Sequence, residues 1–232
     1  MKVVILAAGK GTRMLPLTET FPKVLVPING KPFLYYLMRN LQKAGYSEFS
    51  LVVGYKKDKI QSFLKEYGFE AELIEQKEQL GTGHAVLQAK NFVNNEEFIV
   101  LGGDNLWGVD DLKGINQKDE FNYISGLEVE NPEKYGVLVE EKGLLKDIKE
   151  KPKQFVGYLI NTGLYKFKSE VFTYLENVIP SVRGEIELTS AIAKMAEKNK
   201  VKVLRVLTYW KDLGCIKDVE PLEHFLKEVW SE

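Results

Sequence analysis

Short apolar runs alternate with amphipathic stretches along the first half of the chain. Residues 2–7 and 98–101 are almost entirely apolar, a pattern typical of strands buried on both faces of a parallel sheet. Between residues 33 and 44 apolar side chains recur at helical spacing, which predicts a helix that ends at Gly45. By the same criteria, further strands are predicted at 49–53 and 71–74, and further helices at 56–67 and 82–92.

Beyond about residue 110 the predicted strands become shorter and follow one another with turns between them. Strands are predicted at 123–129, 136–140, 144–150, 155–167 and 201–207, and helices at 169–177, 185–198 and 219–229. Strands that alternate with helices favour an α/β fold, here a Rossmann-like, mostly parallel sheet with helices on both faces, joined to a smaller mixed lobe. We expect the whole chain, residues 1–232, to form a single domain.

The composition is that of an ordinary globular protein, and it argues against several classes of partner. The chain has 232 residues, of which 44% are hydrophobic and 28% charged. A net charge of -1 without basic clusters argues against a nucleic acid partner. No apolar run approaches the length of a membrane span and no signal peptide is evident, so no membrane partner is expected. The single cysteine, Cys215, cannot form an internal disulfide, which favours a cytoplasmic location.

The first apolar run leads directly into a glycine-rich basic loop. This loop contains Gly9, Gly11, Thr12, Arg13 and, ten residues further on, Lys23. Glycines let the backbone approach a ligand and point N–H groups at an anion, while Arg and Lys side chains hold phosphate oxygens. The loop is therefore predicted to bind phosphate after the first strand.

Two better-known phosphate loops do not fit this stretch. The Walker pattern G-x-x-x-x-G-K-[ST] does not occur, and the dinucleotide pattern G-x-G-x-x-G would need glycine where the chain has Met14. Both patterns also require a helix directly after the glycines, which the prolines that follow oppose. These are Pro16, Pro22, Pro27 and Pro32. We therefore expect a long, extended loop that can wrap around a triphosphate.

The whole stretch resembles the signature of sugar-phosphate nucleotidyltransferases, G-x-G-T-R-(M/L)-x-P-x-T followed by P-K-x-L-x-P-x-x-x-K-P. The matching residues are Gly9, Gly11, Thr12, Arg13, Met14, Pro16, Thr18, Pro22, Lys23, Leu25, Pro27, Lys31 and Pro32. That family joins a nucleoside triphosphate to a sugar 1-phosphate. The resemblance implies a nucleotide-binding half at about 1–110 and a sugar-phosphate-binding half at about 111–232. The residues it places against the nucleotide are Leu6, Ala8, Gly9, Gly11, Thr12, Arg13, Gln76, Gly81 and Thr82.

Two aspartates are the candidate ligands of a magnesium ion. Asp104 follows an apolar strand and Gly102-Gly103, and a carboxylate at the ligand edge of a sheet suits a hard cation such as Mg²⁺. Without the loop upstream, such an aspartate would more often be a turn residue. The resemblance implies that Asp104 binds the metal and that Asp212 is its second ligand. Cys215 stands where the family commonly has threonine, so the turn after Asp212 is expected to differ.

A second glycine-rich segment, from Gln76 to His84, is the candidate base-reading site. The Gln76 amide can read a base edge, and Gly81 and Gly83 permit close approach to a flat ring. The segment resembles the uracil-reading part of bacterial N-acetylglucosamine-1-phosphate uridylyltransferases. Thymine shares the edge concerned, so UTP and dTTP are both candidates. A role for Thr82 as a helix cap is compatible with this interpretation, and His84 is expected to be a surface residue of that helix.

Three short motifs in the second half resemble the family's sugar-phosphate site. They are Tyr135-Gly136, Glu150-Lys151-Pro152 and Asn161-Thr162-Gly163. The resemblance implies that Gly136, Glu150 and Asn161 contact the sugar and that Lys151 contacts its phosphate. Each motif alone would be a turn, but their order along the chain matches the family. A further match, R-G-E-x-E ending at Glu187, is interpreted mainly as architecture.

The resemblance predicts an in-line displacement in which the sugar phosphate attacks the α-phosphorus of the nucleotide. Because the attacking oxygen is already anionic, the main tasks are positioning and charge neutralisation. Arg13, Lys23 and Asp104 are the predicted catalytic residues. Arg13 would stabilise pyrophosphate, Lys23 would neutralise the α-phosphate and Lys151 would hold the attacking phosphate. Mg²⁺ held by Asp104 and Asp212 would bridge phosphates.

Several alternatives remain open at this point. Glucose 1-phosphate is the first choice of acceptor and N-acetylglucosamine 1-phosphate the second. A cytidylyltransferase acting on phosphocholine, a mannose-1-phosphate guanylyltransferase and a non-catalytic nucleotide-sugar-binding regulator are the rival hypotheses. No hexapeptide repeat is present, so no acetyltransferase activity is expected, and a homo-oligomer is compatible with the sequence.

Overall fold

The computed structural model describes residues 1–230, which form short and long strands and helices in alternation. The strands are β1 (Lys2–Ala7), β2 (Pro27–Ile28), β3 (Lys31–Pro32), β4 (Glu48–Val53), β5 (Glu72–Glu75), β6 (Phe98–Gly102), β7 (Asn105–Trp107), β8 (Asn122–Glu128), β9 (Gly136–Glu141), β10 (Leu144–Glu150), β11 (Leu159–Phe167), β12 (Val201–Arg205) and β13 (Trp210–Asp212). The helices are α1 (Phe33–Lys43), α2 (Lys57–Tyr67), α3 (Thr82–Gln88), α4 (Lys90–Val93), α5 (Val109–Gly114), α6 (Val171–Glu176), α7 (Leu188–Ala196) and α8 (Val219–Val229). None of these helices is long and apolar enough to cross a membrane.

Nine of the strands form one sheet that continues from the first half of the chain into the second. Their order is β5–β4–β1–β6–β11–β8–β12–β10–β9. The first four run parallel, as the continuous apolar runs predict. β11 is antiparallel to both β6 and β8, and β9 pairs antiparallel with β10 at the far edge. The α/β fold class is confirmed, with a sheet that is parallel around β1 and mixed beyond β6.

Alternate residues of the central strands face two separate hydrophobic cores, because successive side chains of a strand point to opposite faces. Ile5 and Leu101 belong to the core that includes side chains of α1, α2, α5 and α8. Val4 and Val100 belong to the core that includes side chains of α3, α4, α6 and α7. All four are fully buried. Helices therefore cover both faces, which is why these strands are continuously apolar.

Some predicted boundaries differ from the structure. The helix predicted at 82–92 is interrupted at Ala89, where α3 ends and α4 begins. The strand predicted at 155–167 begins only at Leu159, and Phe155 before it is 69% exposed. The pairs β2–β3 and β7–β13 are not indicated by the sequence pattern, because strands of two or three residues show no detectable period.

Candidate active site

The carboxyl ends of two neighbouring parallel strands, β1 and β6, bring the glycine loop and Asp104 together. The pairing continues beyond β6, where the Gly103 amide donates to the Leu6 carbonyl at 2.9 Å. A side chain at Gly103 would not fit, because its Cβ would lie 3.0 Å from Val24 Cγ1 and 3.2 Å from the Leu6 oxygen. Gly103 therefore lets the chain turn closely past β1 and places Asp104 at the edge where parallel sheets bind ligands.

The loop after β1 is folded into three 3₁₀ turns. They span Thr12–Met14, Leu17–Glu19 and Lys23–Leu25. Gly11 has a φ of 63°, and a Cβ there would lie 2.8 Å from Lys23 Cβ. The Thr18 hydroxyl donates to the Gly11 carbonyl at 3.0 Å and closes the loop. The expectation of an extended loop is therefore wrong: the prolines exclude a long helix but permit single 3₁₀ turns.

Lys23 and Asp104 form an ion pair at the base of this loop. Lys23 Nζ lies 2.6 Å from Asp104 Oδ2, and the side-chain amide of Asn105 donates a hydrogen bond to Asp104 Oδ1 at 2.9 Å. Lys23 is only 9% exposed, whereas 32% of the Asp104 side chain reaches solvent. Since a carboxylate offers about four lone-pair positions, Asp104 retains coordination capacity on its open side.

A small antiparallel pair of strands places the second aspartate beside the first. β7 and β13 pair so that Asp212 lies opposite Asn105, the residue after Asp104. Burial and the negative charge of Asp104 raise the pKa of Asp212 to about 6. The charges of Lys23 and Arg13 act in the opposite direction. Arg13, although exposed on the loop, is thus near enough for its charge to act on Asp212.

The two aspartates fit a magnesium site that a substrate would complete. Among residues 1–230, no group of three or more His, Cys, Asp or Glu side chains could hold a metal ion. Mg²⁺ is commonly bound through one or two carboxylates together with substrate phosphates, so two aspartates beside a phosphate loop are a suitable donor set. A cation here would also relieve the repulsion between Asp104 and Asp212 that contributes to the raised pKa of Asp212.

Removing the charge of Asp212 is expected to stabilise the metal-free protein in a pH-dependent way. Its pKa is about 6 in the fold against an ordinary value of 3.8, so its ionisation costs stability as the pH rises through this window. Asp212→Asn is therefore expected to raise the melting temperature by a few degrees at about pH 8 and hardly at all at about pH 4. Thermal unfolding in a chelator measures this, and an equal shift at both pH values would contradict it.

The segment predicted to bind the base is packed against the backbone around Ile186. The Gly83 amide donates to the Ile186 carbonyl at 2.8 Å, and the Ile186 amide donates to the Leu80 carbonyl at 2.7 Å. A Cβ at Gly81 would lie 2.7 Å from the Ile186 oxygen, and a Cβ at Gly83 would lie 2.8 Å from it. Packing of the chain against itself therefore already requires both glycines.

The capping role considered for Thr82 is wrong. α3 begins at Thr82, Gly81 occupies the N-cap position, and no side chain caps the helix. The Thr82 hydroxyl instead accepts a hydrogen bond from the Leu188 amide at 3.2 Å. Arg183 and Glu187, from the R-G-E-x-E match, form an ion pair of 3.0 Å just before this contact. The hydrogen bonds of Ile186 and Leu188 to residues 80–83 support an architectural role for that match, because they join the second half of the chain to the base segment.

Two adjoining cavities, of about 340 and 320 Å³, meet at Asp104. The first is lined by the nucleotide candidates Leu6, Ala8, Gly9, Gln76, Gly81 and Thr82. The second is lined by the sugar candidates Glu150 and Asn161. Leu6, Thr82, Gly102, Asp104 and Glu185 line both. The other predicted site residues lie outside the two linings, namely Gly11, Thr12, Arg13, Lys23, Gly136, Lys151 and Asp212.

Three of the sugar candidates meet on neighbouring strands. Gly136 lies opposite Glu150 in the β9–β10 pair, and a Cβ at Gly136 would lie 3.0 Å from Glu150 Oε2 and 3.9 Å from Asn161 Cβ. The Asn161 amide donates to the Tyr165 hydroxyl at 2.7 Å, and burial raises the pKa of Tyr165 to about 12. Lys151 follows β10 with a positive φ of 42° and is exposed.

The sequence pattern does not indicate two residues of the site, and it predicts the wrong environment for a third. Asn105 supports the Asp104 carboxylate, and only its adjacency to Asp104 could have suggested this. The charge of Asp218 contributes to the raised pKa of Asp212, but no motif marks it. His84 is half-buried with both ring nitrogens against glutamine amides, so the expectation of a surface histidine is wrong.

Comparison with known proteins matches this chain to one family over nearly its whole length. The model of a family described as nucleotidyl transferase matches residues 2–228. A relative from Methanococcus maripaludis, named bifunctional protein GlmU, is 40% identical over 238 residues. That match covers 100% of this chain and 56% of the relative, so the chain spans little more than half of that protein's length.

Two solved structures share the fold over the full chain. A Bacillus anthracis protein assigned as a glucose-1-phosphate thymidylyltransferase superimposes with a TM-score of 0.88 at 25% identity, covering 100% of this chain and 97% of that protein. A UDP-glucose pyrophosphorylase in complex with UDP-glucose superimposes with a TM-score of 0.86 at 26% identity, covering 98% of both chains.

Proposed function

The chain belongs to the nucleotidyl transferase family, and we propose that it transfers a nucleotidyl group from UTP or dTTP to a hexose 1-phosphate. The observation that carries this proposal is the position of Asp104 between two cavities, one with the base candidates and one with the sugar candidates. A nucleotide in the first cavity and a hexose phosphate in the second would direct their phosphates toward the same carboxylate. The products are a nucleotide sugar and pyrophosphate.

The proposed reaction is a single in-line displacement. A bond forms between a phosphate oxygen of the hexose phosphate and the α-phosphorus of the nucleotide. The bond from the α-phosphorus to the oxygen of the leaving pyrophosphate breaks, and that oxygen takes the electron pair. Since the attacking oxygen is anionic near neutral pH, no side chain has to remove a proton, and the gain in rate comes from positioning and charge.

Three basic side chains are proposed to perform this task. Lys23 is buried beside Asp104, with which it forms an ion pair. When the nucleotide binds, Lys23 would turn part of its charge from Asp104 to the α-phosphate. Arg13, on the exposed loop, would hold the pyrophosphate, and Lys151 would hold the attacking phosphate. Asp104 and Asp212 would hold the metal ion. When bound, Mg²⁺ supplies positive charge to phosphate oxygens.

The choice of substrates rests on the base segment and on the relatives. The buried Gln76 amide, beside Gly81 and Thr82, supports a uracil or thymine base. The structural neighbours, named for glucose 1-phosphate and UDP-glucose, support glucose 1-phosphate as acceptor. The resemblance of the base segment to N-acetylglucosamine-1-phosphate uridylyltransferases supports the N-acetylated sugar as the second candidate.

A substitution at Gly136 is expected to affect the acceptor and spare the nucleotide. A Cβ at this position would lie 3.0 Å from Glu150 Oε2 and displace the carboxylate proposed to hold the sugar hydroxyls. Gly136→Ala is expected to raise the KM for hexose phosphate about tenfold, the cost of about one hydrogen bond to a charged group, with the KM for the nucleotide unchanged.

The control for this prediction is another glycine of the same half. Gly157→Ala would place its Cβ no closer than 4.0 Å to Val137, so it tests the substitution without the clash. Initial-rate kinetics with each substrate varied in turn measure both variants. A change in both KM values of Gly136→Ala, or an equal change in Gly157→Ala, would contradict a local effect on Glu150.

A matrix of substrates tests the proposed function. Pyrophosphate release would be measured with each of the ribonucleoside triphosphates and dTTP against glucose, N-acetylglucosamine and mannose 1-phosphates and phosphocholine. Turnover confined to UTP or dTTP with one of the first two acceptors is the expected result. Preference for CTP with phosphocholine or for GTP with mannose 1-phosphate would overturn the substrate assignment, and tight binding of nucleotide sugars without turnover would identify a regulator.

A further inference from the structure

His84 lies between the side-chain amides of two glutamines. Its Nδ1 is 3.0 Å from Gln76 Nε2, and its Nε2 is 3.1 Å from Gln88 Nε2. A neutral imidazole has one nitrogen that accepts and one that donates, so the two amides cannot both present hydrogens to the ring. One of the amides must turn its oxygen toward His84, and the identity of that glutamine determines which tautomer the ring adopts.

The surroundings decide which glutamine turns. The Gln76 nitrogen also donates to the Gly81 carbonyl at 3.2 Å, an atom that can only accept, and Gln76 is buried. Gln88 is half-buried, and its nitrogen lies 3.3 Å from the carbonyl of His84, one helical turn back. Turning either amide would set its oxygen against a carbonyl, so burial decides: the cost is larger for the buried Gln76 than for the half-buried Gln88, which therefore presents its oxygen to Nε2–H. The Nδ1 lone pair of His84 is then left to accept from Gln76.

This arrangement leaves the Gln76 oxygen for the ligand. Within residues 1–230 no group donates a hydrogen bond to Gln76 Oε1. This oxygen is not fully buried, so a ligand can reach it. Gln76 lines the first cavity together with Gly81 and Thr82. The one unused polar atom of this amide is therefore available to a ligand in this cavity.

We propose that His84 is a positioning residue for base selection. Its Nδ1 holds the Gln76 nitrogen, so that Gln76 Oε1 accepts the N3–H of uracil or thymine. Cytosine carries no hydrogen on N3 and would place a lone pair against this oxygen. His84 thereby selects the base without contacting it. This inference rests on the proposed use of a pyrimidine nucleotide with a uracil edge.

The test compares selectivity rather than activity. Without the Nδ1 acceptor, the Gln76 amide can turn and present either its oxygen or its nitrogen to the base. His84→Leu is therefore expected to lower the ratio of kcat/KM for UTP over CTP roughly tenfold or more, a typical effect of one specific base contact. His84→Asn, whose Oδ1 can take the place of the Nδ1 acceptor, is expected to keep the ratio near that of the wild type.

The chain provides a matched control, because it has two histidines and His224 is exposed on α8. His224→Leu is expected to leave the ratio unchanged. An equal loss of rate with both nucleotides in His84→Leu would overturn the inference and leave the proposed function in place. A wild type that uses neither UTP nor dTTP would instead overturn the proposed function.

A second measurement does not depend on how the His84 variants fold. In His224→Leu protein only one histidine remains, so its ring nitrogens can be assigned without ambiguity by ¹⁵N NMR. The proposal predicts the neutral tautomer with hydrogen on Nε2 and a bare Nδ1. Observation of hydrogen on Nδ1 would contradict it.

Discussion

Asp104→Asn is expected to lower kcat about a thousandfold while the protein keeps its fold. The substitution preserves the size of the side chain and removes the charge that pairs with Lys23 at 2.6 Å. It also removes one of the two carboxylates proposed to hold the metal. Because the α-phosphate and the attacking phosphate both approach this position, the loss should fall on the transition state and hence on kcat rather than on the KM of either substrate.

The matched control for Asp104 is an exposed aspartate that follows it closely in the chain. Asp110 lies in the first turn of α5, its side chain is 76% exposed, and it pairs with Lys113 at 3.7 Å. Asp110→Asn should have wild-type kinetics. Steady-state rates of pyrophosphate release, with the melting temperature as a check of folding, measure both variants. The predicted loss of kcat is about a thousandfold. If Asp104→Asn instead retained about a tenth or more of the wild-type kcat, Asp104 would not be central to the reaction.

Lys23→Gln is expected to lower kcat about a hundredfold, the second-largest effect of a single substitution. Lys23 is 9% exposed and supplies the buried positive charge next to Asp104, a charge that is proposed to stabilise the α-phosphate as it is attacked. Glutamine retains the Cβ and Cγ atoms with which Lys23 packs against Gly11. A Cβ added at Gly11 would lie 2.8 Å from Lys23 Cβ and 3.3 Å from Lys23 Cγ. The packing of the glycine loop against this side chain is therefore preserved, and the substitution isolates the charge.

The control for Lys23 is the same change at an exposed lysine. Lys59→Gln, on the outer face of α2, should leave the kinetics unchanged. Single-turnover rates at saturating substrate separate chemistry from binding. An effect of Lys23→Gln on nucleotide affinity alone, with an unchanged single-turnover rate, would assign Lys23 to nucleotide binding and contradict a role at the α-phosphate.

The parallel part of the fold could be predicted from the sequence because its signal is local. β1 and β6 are buried on both faces, so their apolar runs are unbroken and their ends are marked by Gly9 and Gly102. In a parallel sheet these ends lie at one edge, so the sequence alone predicts that the phosphate loop lies near Asp104. The order of short motifs in the second half indicated the sugar candidates Glu150 and Asn161, which line one cavity.

Other features depend on contacts between distant parts of the chain and could not be predicted from the hydrophobic pattern. The two three-residue strands that bring Asp212 beside Asp104 are too short to carry a periodic signal, so only the family resemblance indicated Asp212. Gly81 and Gly83 suggested a ligand, although the backbone at Ile186, about a hundred residues further on, already explains them. The environment of His84 is equally hidden, because a sequence does not indicate which side chains face its ring nitrogens.

If one site joins two substrates around Asp104, the reaction needs both of them, and an omission experiment tests this requirement. Purified protein would be incubated with UTP or dTTP, glucose or N-acetylglucosamine 1-phosphate, and Mg²⁺, and each component would then be left out in turn. A single two-substrate site predicts nucleotide sugar and pyrophosphate in equal amounts from the complete mixture, and neither product when any component is missing. Pyrophosphate released without the hexose phosphate, or bound nucleotide sugar that never turns over in the complete mixture, would contradict it.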